Sequence, residues 1–572
     1  MVFMKLKLIK QHCSFLTLSL IFSVATANDF FNFDSIDLSE PTESITSPSK
    51  AVNGDDLDDL INGITPEELS TIRSCALGNA NNWLLLFAQF NFIQALNAPF
   101  YKATSIPITR NLIHYPAMEI CSYPDLSHRQ FTGHILFTKT SEKAFRTSTD
   151  DEVGTRIGSY LNIEDRTLIT ALESFFSTKK QKATVDFTAL NRALGSAHLE
   201  ERRFAFMSHY YQEMGSDFYF EAKMPLVWMI RNLNFKQQYK DVIDQQLSIY
   251  KSGGGNVGDG EFDEDAFASK HLIMDVLGTG TLELSLCKKV WEHSTWSVDL
   301  GGGLLLPTDY AFACGIRGSC FKPVEKAPVL HFCDIIDLST ETVLPGGAQI
   351  ASDYFLGALD QLSSILLQCP LGYNNHLGVE LKVSPFWQVK PNLEFNGIYI
   401  FEAFLPREQQ RFYVPKNTAE SFEDQYNALP RATEEDQQAK LAFVEQRITQ
   451  LLYPKAITTK MYPGWIFTSI SSLRKSYHAW DFIAGYSGWY KSGEKILSFP
   501  NNSASEMKAL HLDYAKSVNP EVYSVKLFGK IHKTLHTKRH DDLSLSLWAD
   551  ATIFNSGIGN DVSLGFCFDH KF

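Results

Sequence analysis

The amino-acid sequence predicts an all-β fold: a transmembrane antiparallel up-and-down β-barrel of about twelve strands, within a range of roughly ten to sixteen. Three observations predict it. Apolar and polar residues alternate with a period of two in many segments of strand length. The connections between these segments are short and long in turn. Aromatic residues make up 13% of the chain, which suits an apolar outer band with aromatic girdles at both of its edges.

The strand segments have the length that a membrane crossing requires. A sheet survives in hydrocarbon only if it closes on itself, because each unpaired backbone group there costs several kcal/mol. Tilted strands of about 9 to 11 residues are long enough to cross. We place the strands at 129–139, 203–212, 217–230, 282–287, 296–300, 377–389, 393–405, 459–470, 479–490, 522–535, 543–554 and 562–572, with 509–516 in a loop.

Several long connections show helical periodicity instead. They are 166–176, 185–193, 357–367 and 434–452, and the last of these has an acidic start followed by apolar residues at helical spacing. We expect amphipathic helices on long extracellular loops. The alternative is that one such loop folds inward and constricts the pore.

The last eleven residues, VSLGFCFDHKF, carry the most specific pattern in the chain. Phe566, Phe568, His570 and Phe572 fall on one face of an extended strand. A carboxyl-terminal Phe closing such an alternation resembles the terminal strand of bacterial outer-membrane β-barrel proteins. The resemblance implies that these four residues form an insertion signal. It also implies outer-membrane lipid and the barrel assembly machinery of a Gram-negative bacterium as partners.

The resemblance extends over residues 129–572 and implies a porin-like channel of unidentified subfamily. The remaining sequence divides into three predicted segments. Residues 1–27 read as a signal peptide, because Lys5, Lys7 and Lys10 precede a short apolar run and a small-residue cleavage pattern. Residues 28–63 are a flexible acidic segment. Residues 64–128 form a periplasmic or plug segment: a periplasmic helix, a lumen plug or an additional strand would each fit, and the sequence does not choose among these three.

Polar residues between the apolar positions of the strands should face the barrel lumen. Mixed charge along such a wall would tune an aqueous path. The predicted lumen-lining residues are Glu283, Asp299, Glu380, Lys382, Glu394, Asn396, Asp481, Lys526, Lys530, His532, Ser544 and Asp550.

These features favour a channel for passive or facilitated diffusion of small solutes. The alternatives are a surface adhesin, a structural plugged barrel and, with less support, an outer-membrane hydrolase. We do not expect an enzyme, because His209, His511 and His532 sit in no catalytic motif. No cofactor or metal is expected. The net charge of −13 argues against nucleic acid as a partner.

Nine cysteines occur in the chain, and one of them lies in the predicted leader. The oxidising compartment that an exported protein enters favours disulfides, although the sequence does not determine which cysteines pair. Cys314, Cys320, Cys333 and Cys369 lie in one predicted loop and are candidates for bridges, with free thiols as the alternative. A zinc site is less favoured, because the chain has no CxxC pair.

Overall fold

The fold is described by a computed structural model. Contacts divide the chain into two units, 1–89 and 90–572, and every described residue belongs to the second unit. The described residues are 129–140, 198–215, 217–235, 237–242, 264–308, 310–320, 330–337, 342–367, 376–413, 434–453, 455–500, 521–535, 543–556 and 560–571, with the single positions 119, 186, 189, 245, 328 and 428. The predicted signal peptide, acidic segment and most of the segment 64–128 lie outside them, as do 166–176, 509–516 and Phe572.

The alternating segments form strands, which we number in chain order. Fourteen of them belong to one sheet, of which two, β4 (Ile273–Thr279) and β7 (Tyr310–Cys314), stand outside the barrel wall. The wall strands are β1 (Arg129–Thr140), β2 (His198–Gly215), β3 (Phe218–Asn234), β5 (Leu282–His293), β6 (Trp296–Leu306), β10 (Gly378–Lys390), β11 (Leu393–Phe404), β14 (Trp465–Tyr477), β15 (Trp480–Lys491), β17 (Val522–Leu535), β18 (Leu543–Ser556) and β19 (Asp561–Lys571).

These twelve strands close into a ring in which each wall strand pairs antiparallel with its neighbours in the chain. The first and last strands complete it, with β1 paired to β19 over eleven positions from Gln130↔Lys571 to Thr140↔Asp561. The predicted fold class, a closed antiparallel barrel of about twelve strands, is confirmed.

The wall has apolar side chains on its exposed face and polar side chains on its buried face, which is the opposite of a water-soluble protein. On β19, Val562, Leu564 and Phe566 are exposed by 60%, 54% and 41%, whereas Ser563 and Asp569 are buried at 1% and 2%. The same alternation runs along β1 and β17. Apolar side chains therefore cover the outside of the barrel and polar ones face its interior, as lipid contact requires.

Connections of different length separate the two ends of the barrel. At one end, which we call the turn end, they are 216–217, 294–295, 391–392, 478–479 and 536–542. At the other, the loop end, they are 141–197, 235–281, 307–377, 405–464, 492–521 and 557–560. The long connections all lie at the loop end, as predicted. The last connection there, 557–560, is short.

Further elements within the long connections form what we call the loop layer. Its strands are β4 (Ile273–Thr279), β7 (Tyr310–Cys314), β8 (Ile336–Asp337), β9 (Thr342–Val343), β12 (Arg407–Tyr413), β13 (Lys455–Tyr462) and β16 (Lys495–Ser498). Its helices are α1 (Glu264–His271), α2 (Gly347–Leu366), α3 (Glu434–Leu452) and a 3-10 helix at Phe332–Asp334. Among the helices in the described ranges, none is both long and apolar enough to cross a membrane.

Contacts between different connections hold the loop layer together. The Nδ1 atom of His271 lies 2.6 Å from an Asp360 oxygen, which joins α1 to α2. The hydroxyls of Tyr354 and Thr449 lie 3.0 Å apart, and Tyr453 donates to the Tyr354 carbonyl at 2.8 Å, which joins α2 to α3. The described parts of the connections 235–281, 307–377 and 405–464 thus pack against one another rather than forming separate loops.

The structure corrects two predicted elements. The predicted strand 459–470 is two strands, because the chain breaks at Pro463 and Gly464, and Gly464 has a φ of 86°. The first part, β13, pairs with β12 and β16 in the loop layer, and the second, β14, enters the wall. The helix predicted at 357–367 begins ten residues earlier, at Gly347. The helix predicted at 434–452 is confirmed as α3.

Gly565 allows the Trp548 ring to lie flat against the inner wall. The two residues are direct cross-strand partners on β19 and β18, and Trp548 is only 1% exposed. A Cβ atom at Gly565 would lie 2.1 Å from the Trp548 ring. A Cβ atom at Gly529 on β17 would meet only a backbone oxygen at 4.0 Å.

We expect Gly565→Ala to destabilise the barrel by about 1–3 kcal/mol through overpacking against Trp548. Gly529→Ala is the matched control and should change the free energy of unfolding by much less. Urea unfolding of both variants in lipid vesicles measures the difference. Equal effects of the two substitutions would contradict the contact.

His376 is buried where the loop layer meets β10, just before the first residue of that strand. Its Nδ1–H donates to the Leu405 carbonyl at 3.1 Å, and its Nε2 lies 3.5 Å from Nε2 of Gln409. Burial lowers the pKa of His376 to about 4, while the nearby charges of Glu494 and Arg411 act in opposite directions. A neutral ring fits this site, because protonated Nε2 would face another N–H donor.

A histidine whose pKa falls on folding contributes stability that is present above its unfolded pKa and is lost on acidification. We therefore expect the free energy of unfolding to fall by about 1.4 kcal/mol per pH unit between roughly pH 6.5 and pH 4 from this residue. His376→Asn should flatten the dependence measured by urea unfolding or by proteolysis of the loop layer. His293→Asn, at an exposed turn, should leave the slope unchanged. A slope unaltered by His376→Asn would contradict the assignment.

Candidate functional site in the barrel interior

All twelve residues predicted to line the lumen lie on the inward face of the wall. Glu394 and His532 are half-buried, and the other ten are buried. The structure brings several of them together in separate groups of ion pairs. Their role in lining a solute path stays a prediction.

The largest group, which we call the central cluster, contains ionisable side chains from five wall strands and one residue that precedes the barrel. Lys223 Nζ donates to both carboxylate oxygens of Glu119 at 2.8 Å. Lys382 Nζ donates to the two oxygens of Glu221 at 2.9 and 3.3 Å. The members of the central cluster are Glu119, His209, Glu221, Lys223, Glu283, Asp299, Glu380 and Lys382.

Contacts in the central cluster join strands that are not neighbours in the wall. Lys382 on β10 reaches Glu221 on β3, past β5 and β6. Tyr219 on β3 donates to an Asp299 oxygen on β6 at 3.1 Å. Such contacts form only if the side chains extend into the interior. The cluster therefore crosses part of the lumen instead of following the wall.

The remaining carboxylates of the central cluster have weaker partners. An oxygen of Glu283 lies 3.9 Å from Lys223 Nζ, beyond hydrogen-bond distance. Ser285 on β5 donates to Glu380 at 3.1 Å. These two acids therefore do not have a close cation of their own among the described residues.

Sequence reasoning missed four members of the central cluster: Glu119, His209, Glu221 and Lys223. A signal existed on β3, where Tyr219, Glu221 and Lys223 alternate with less polar residues, but the apolar run that follows obscured it. His209 on β2 lies directly opposite Lys223 on β3. Glu119 had no local signal, because its position depends on how the segment before the barrel meets the lumen.

A second group surrounds Lys526. Its Nζ donates to Asp550 at 3.1 Å and lies 3.4 Å from an oxygen of Asp561. Thr140 on β1 also donates to Asp561, at 3.0 Å. This group links the seam between β1 and β19 to β17 and β18.

A third group lies near the turn end. Arg474 pairs with Asp481 and lies 3.5 Å from Glu394. His532 Nδ1 lies 2.9 Å from the Ser546 hydroxyl, which places a possible base beside a possible nucleophile. Its Nε2 faces the Thr534 hydroxyl at 3.5 Å instead of a carboxylate. Among the described residues, no carboxylate forms a hydrogen bond with the His532 ring, as the orienting acid of a hydrolytic triad would.

Apolar side chains occupy the inward face near the loop end. Leu305, Phe404, Ile466, Trp489 and Val522 form one buried cluster contributed by five wall strands. Each is an inward position on its strand. Along β6 the inward face thus changes from apolar at Leu305, near the loop end, to charged at Asp299, whereas Asp561 on β19 places a charged group near the loop end as well.

The predicted cysteine cluster contains one disulfide. Cys314 and Cys320 are bonded, with their Cα atoms 5.2 Å apart. The thiol of Cys333 is free and exposed in the structure, and Cys369 lies outside the described residues. Cys287 and Cys567 are buried on the inward face, and neither forms a disulfide within the described part of the chain.

The terminal strand places Phe566 on the outer face at 41% exposure. Phe568 lies on the same face, where a Cβ atom at Gly133 would fall 2.2 Å from its ring. His570 is half-buried, opposite Phe131 on β1. Their proposed role as an assembly signal, shared with Phe572, stays a prediction.

No protein-family model matches the sequence, and no curated protein is recognisably similar to it. Solved structures of outer-membrane barrels do share the architecture. An outer membrane channel from Pseudomonas putida F1 aligns with 79% of this chain and 98% of its own at 7% identity and a TM-score of 0.36. The toluene transporter TodX from Pseudomonas putida aligns with 83% of this chain and 97% of its own at 10% identity and a TM-score of 0.25.

The translocator domain of the autotransporter NalP from Neisseria meningitidis aligns with 80% of this chain and 92% of its own at 5% identity and a TM-score of 0.29. These proteins differ in function. Likeness at this level therefore does not carry the functional argument, which rests on the barrel itself.

We expect Lys526→Met to destabilise the barrel by about 3–5 kcal/mol, because it removes a buried cation that Asp550 and Asp561 share. Lys139→Met is the matched control. The Lys139 side chain is 55% exposed beside Glu200, so its loss should cost less than about 1 kcal/mol. Urea unfolding in vesicles measures both values. Adding Asp550→Asn to Lys526→Met should restore part of the loss, and a neutral effect of Lys526→Met alone would contradict the ion-pair assignment.

Proposed function

We propose that this protein is an outer-membrane channel through which small solutes pass by passive or facilitated diffusion. One observation carries the proposal: a closed ring of twelve strands has an apolar outer face and an inner face rich in ionisable side chains. The outer face suits lipid, and the inner face suits water and hydrophilic solutes.

The outer surface supports a position in a membrane. Trp291, Trp387, Tyr477 and Trp480 lie near the turn end and are exposed by 61%, 52%, 64% and 41%. Aromatic side chains of this kind gather at the level of the lipid headgroups. Between them and the loop end, the exposed positions are mainly Leu, Ile, Val and Phe.

The charged interior is better explained by solute passage than by stability. Burying ions is costly, and replacing a buried ion pair with well-packed apolar residues is often neutral or stabilising. A barrel selected only for a filled interior would have little need for Glu221, Lys223, Glu283, Glu380 and Lys382 in one region. A path for water and solutes gives these groups a use.

A plugged barrel is the second candidate, and one contact favours it. Glu119 belongs to the segment before β1, and its side chain lies against Lys223 with exposures of 10% and 8%. A residue from this segment therefore occupies the interior. In the channel proposal, the Glu119–Lys223 pair narrows the path, whereas in the plugged barrel it is part of a permanent closure.

We expect the purified full-length protein to produce discrete conductance steps in planar bilayers, with a step size that rises with salt concentration. Glu119→Gln should weaken the pair with Lys223 and increase the mean conductance or the open fraction. Glu292→Gln, at an exposed turn, is the control and should leave both unchanged.

Silent insertion of the wild-type protein would support the plugged barrel, provided that heat-modifiable gel migration shows an intact barrel. Silence in the wild type together with steps in Glu119→Gln would identify that pair as the closure. Without heat-modifiable migration, the membrane assignment itself would fail.

A further inference from the structure

The central cluster contains more acids than bases. Two ammonium groups, from Lys223 and Lys382, face five carboxylates. These carboxylates belong to Glu119, Glu221, Glu283, Asp299 and Glu380. The imidazole of His209 lies beside them, opposite Lys223.

Pairing within the cluster leaves the excess charge at definite positions. Glu119 and Glu221 take the close contacts of the two lysines, at 2.8 and 2.9 Å. Glu283 is farther from Lys223, at 3.9 Å. Glu380 and Asp299 accept hydrogen bonds from the neutral hydroxyls of Ser285 and Tyr219. Glu283, Glu380 and Asp299 therefore have no ammonium group within hydrogen-bond distance among the described residues.

Unused polar atoms face the same region. Asp299 Oδ1, His209 Nε2 and the Tyr211 hydroxyl are buried and have no hydrogen-bond partner in the described part of the chain. These side chains are 7%, 8% and 1% exposed. Tyr211 lies directly opposite Glu221, and its ring centroid is 5.1 Å from that of Tyr219, the residue that donates to Asp299. Buried polar atoms left unpaired in a folded interior mark a place for water or a ligand.

We infer that the central cluster is a cation-selective constriction, with Glu283, Glu380 and Asp299 attracting small monovalent cations, including organic ammonium ions. This inference rests on the proposed channel function and names its solute class. Carboxylates lining a narrow path favour cations, because charges interact strongly where little water separates them. The unpaired Asp299 oxygen and Tyr211 hydroxyl can replace part of the water shell of a passing ion.

The neighbouring groups of ion pairs do not all have the same sign. Two have an excess of acids, and two have an excess of bases, namely Arg203 and Arg231 with Glu201, and Arg411 and Lys491 with Glu494. Lys526 faces two acids, Asp550 and Asp561, and Arg474 faces Glu394 and Asp481. The group of Arg203, Arg231 and Glu201 has the opposite sign, but each of its members is at most 2% exposed. That group therefore contributes less to an accessible path than the central cluster does.

The test is the reversal potential of the full-length protein in planar bilayers across a KCl gradient. We expect K⁺ to be favoured over Cl⁻ by roughly threefold or more, as an acidic constriction predicts. The double variant Glu283→Gln/Glu380→Gln keeps the shape of both side chains and should bring the permeability ratio close to one. Glu292→Gln is the control and should keep the wild-type ratio.

A wild-type channel without cation preference would overturn the inference and leave the channel proposal standing. The same holds if the double variant conducts with an unchanged ratio. Complete silence would overturn the channel proposal and the inference together. If the double variant shows no heat-modifiable migration and has therefore not folded, a second measurement tests the inference. It compares the rates at which lysine and glutamate enter vesicles that contain the wild-type protein. Faster lysine entry supports the inference, and equal or slower entry overturns it.

Discussion

The pairing of every backbone group within the wall is the constraint on which the rest of the structure depends. Hydrocarbon offers no hydrogen bonds, so a sheet in a membrane cannot leave an open edge. Here the ring closes through β1 and β19, and side chains reinforce the seam, since Thr138 donates to Ser563 at 3.1 Å and Thr140 to Asp561. The strand alternation, the turn lengths and the two faces of the wall all follow from this closed ring.

Closure also determines where polar chemistry can occur. A side chain on the wall points either to the apolar outside or to the enclosed interior, so charged residues concentrate inside. There they meet across strands that are distant in the wall, as Lys382 and Glu221 do. The interior is not uniform, because the apolar cluster around Leu305 and Trp489 lies near the loop end and the acid-rich cluster lies farther in.

The fold and much of the inward face could be predicted from the sequence. An alternation of apolar and polar residues indicates both that a segment is a strand and which of its side chains face the interior. Prediction failed where the alternation of apolar and polar residues is interrupted. The apolar second half of β3 obscures the inward positions of Glu221 and Lys223. The alternation also continues across Gly464, where the chain leaves one strand and enters another. Glu119 was out of reach for a different reason. Its ion pair joins residues 104 positions apart, and periodicity contains no information about such a contact.

The seam between the first and last wall strands has a consequence for how the molecule is made. Thr138 and Ser563 are 425 residues apart in the chain. Contacts of such long range form late and slowly, because the entropy of loop closure must be overcome before they provide any stabilisation. Until β19 arrives, β1 presents an unpaired edge that can bind other extended chains. A nascent copy is therefore most vulnerable to aggregation until β19 has paired with β1, which makes protection during transit a requirement of this topology.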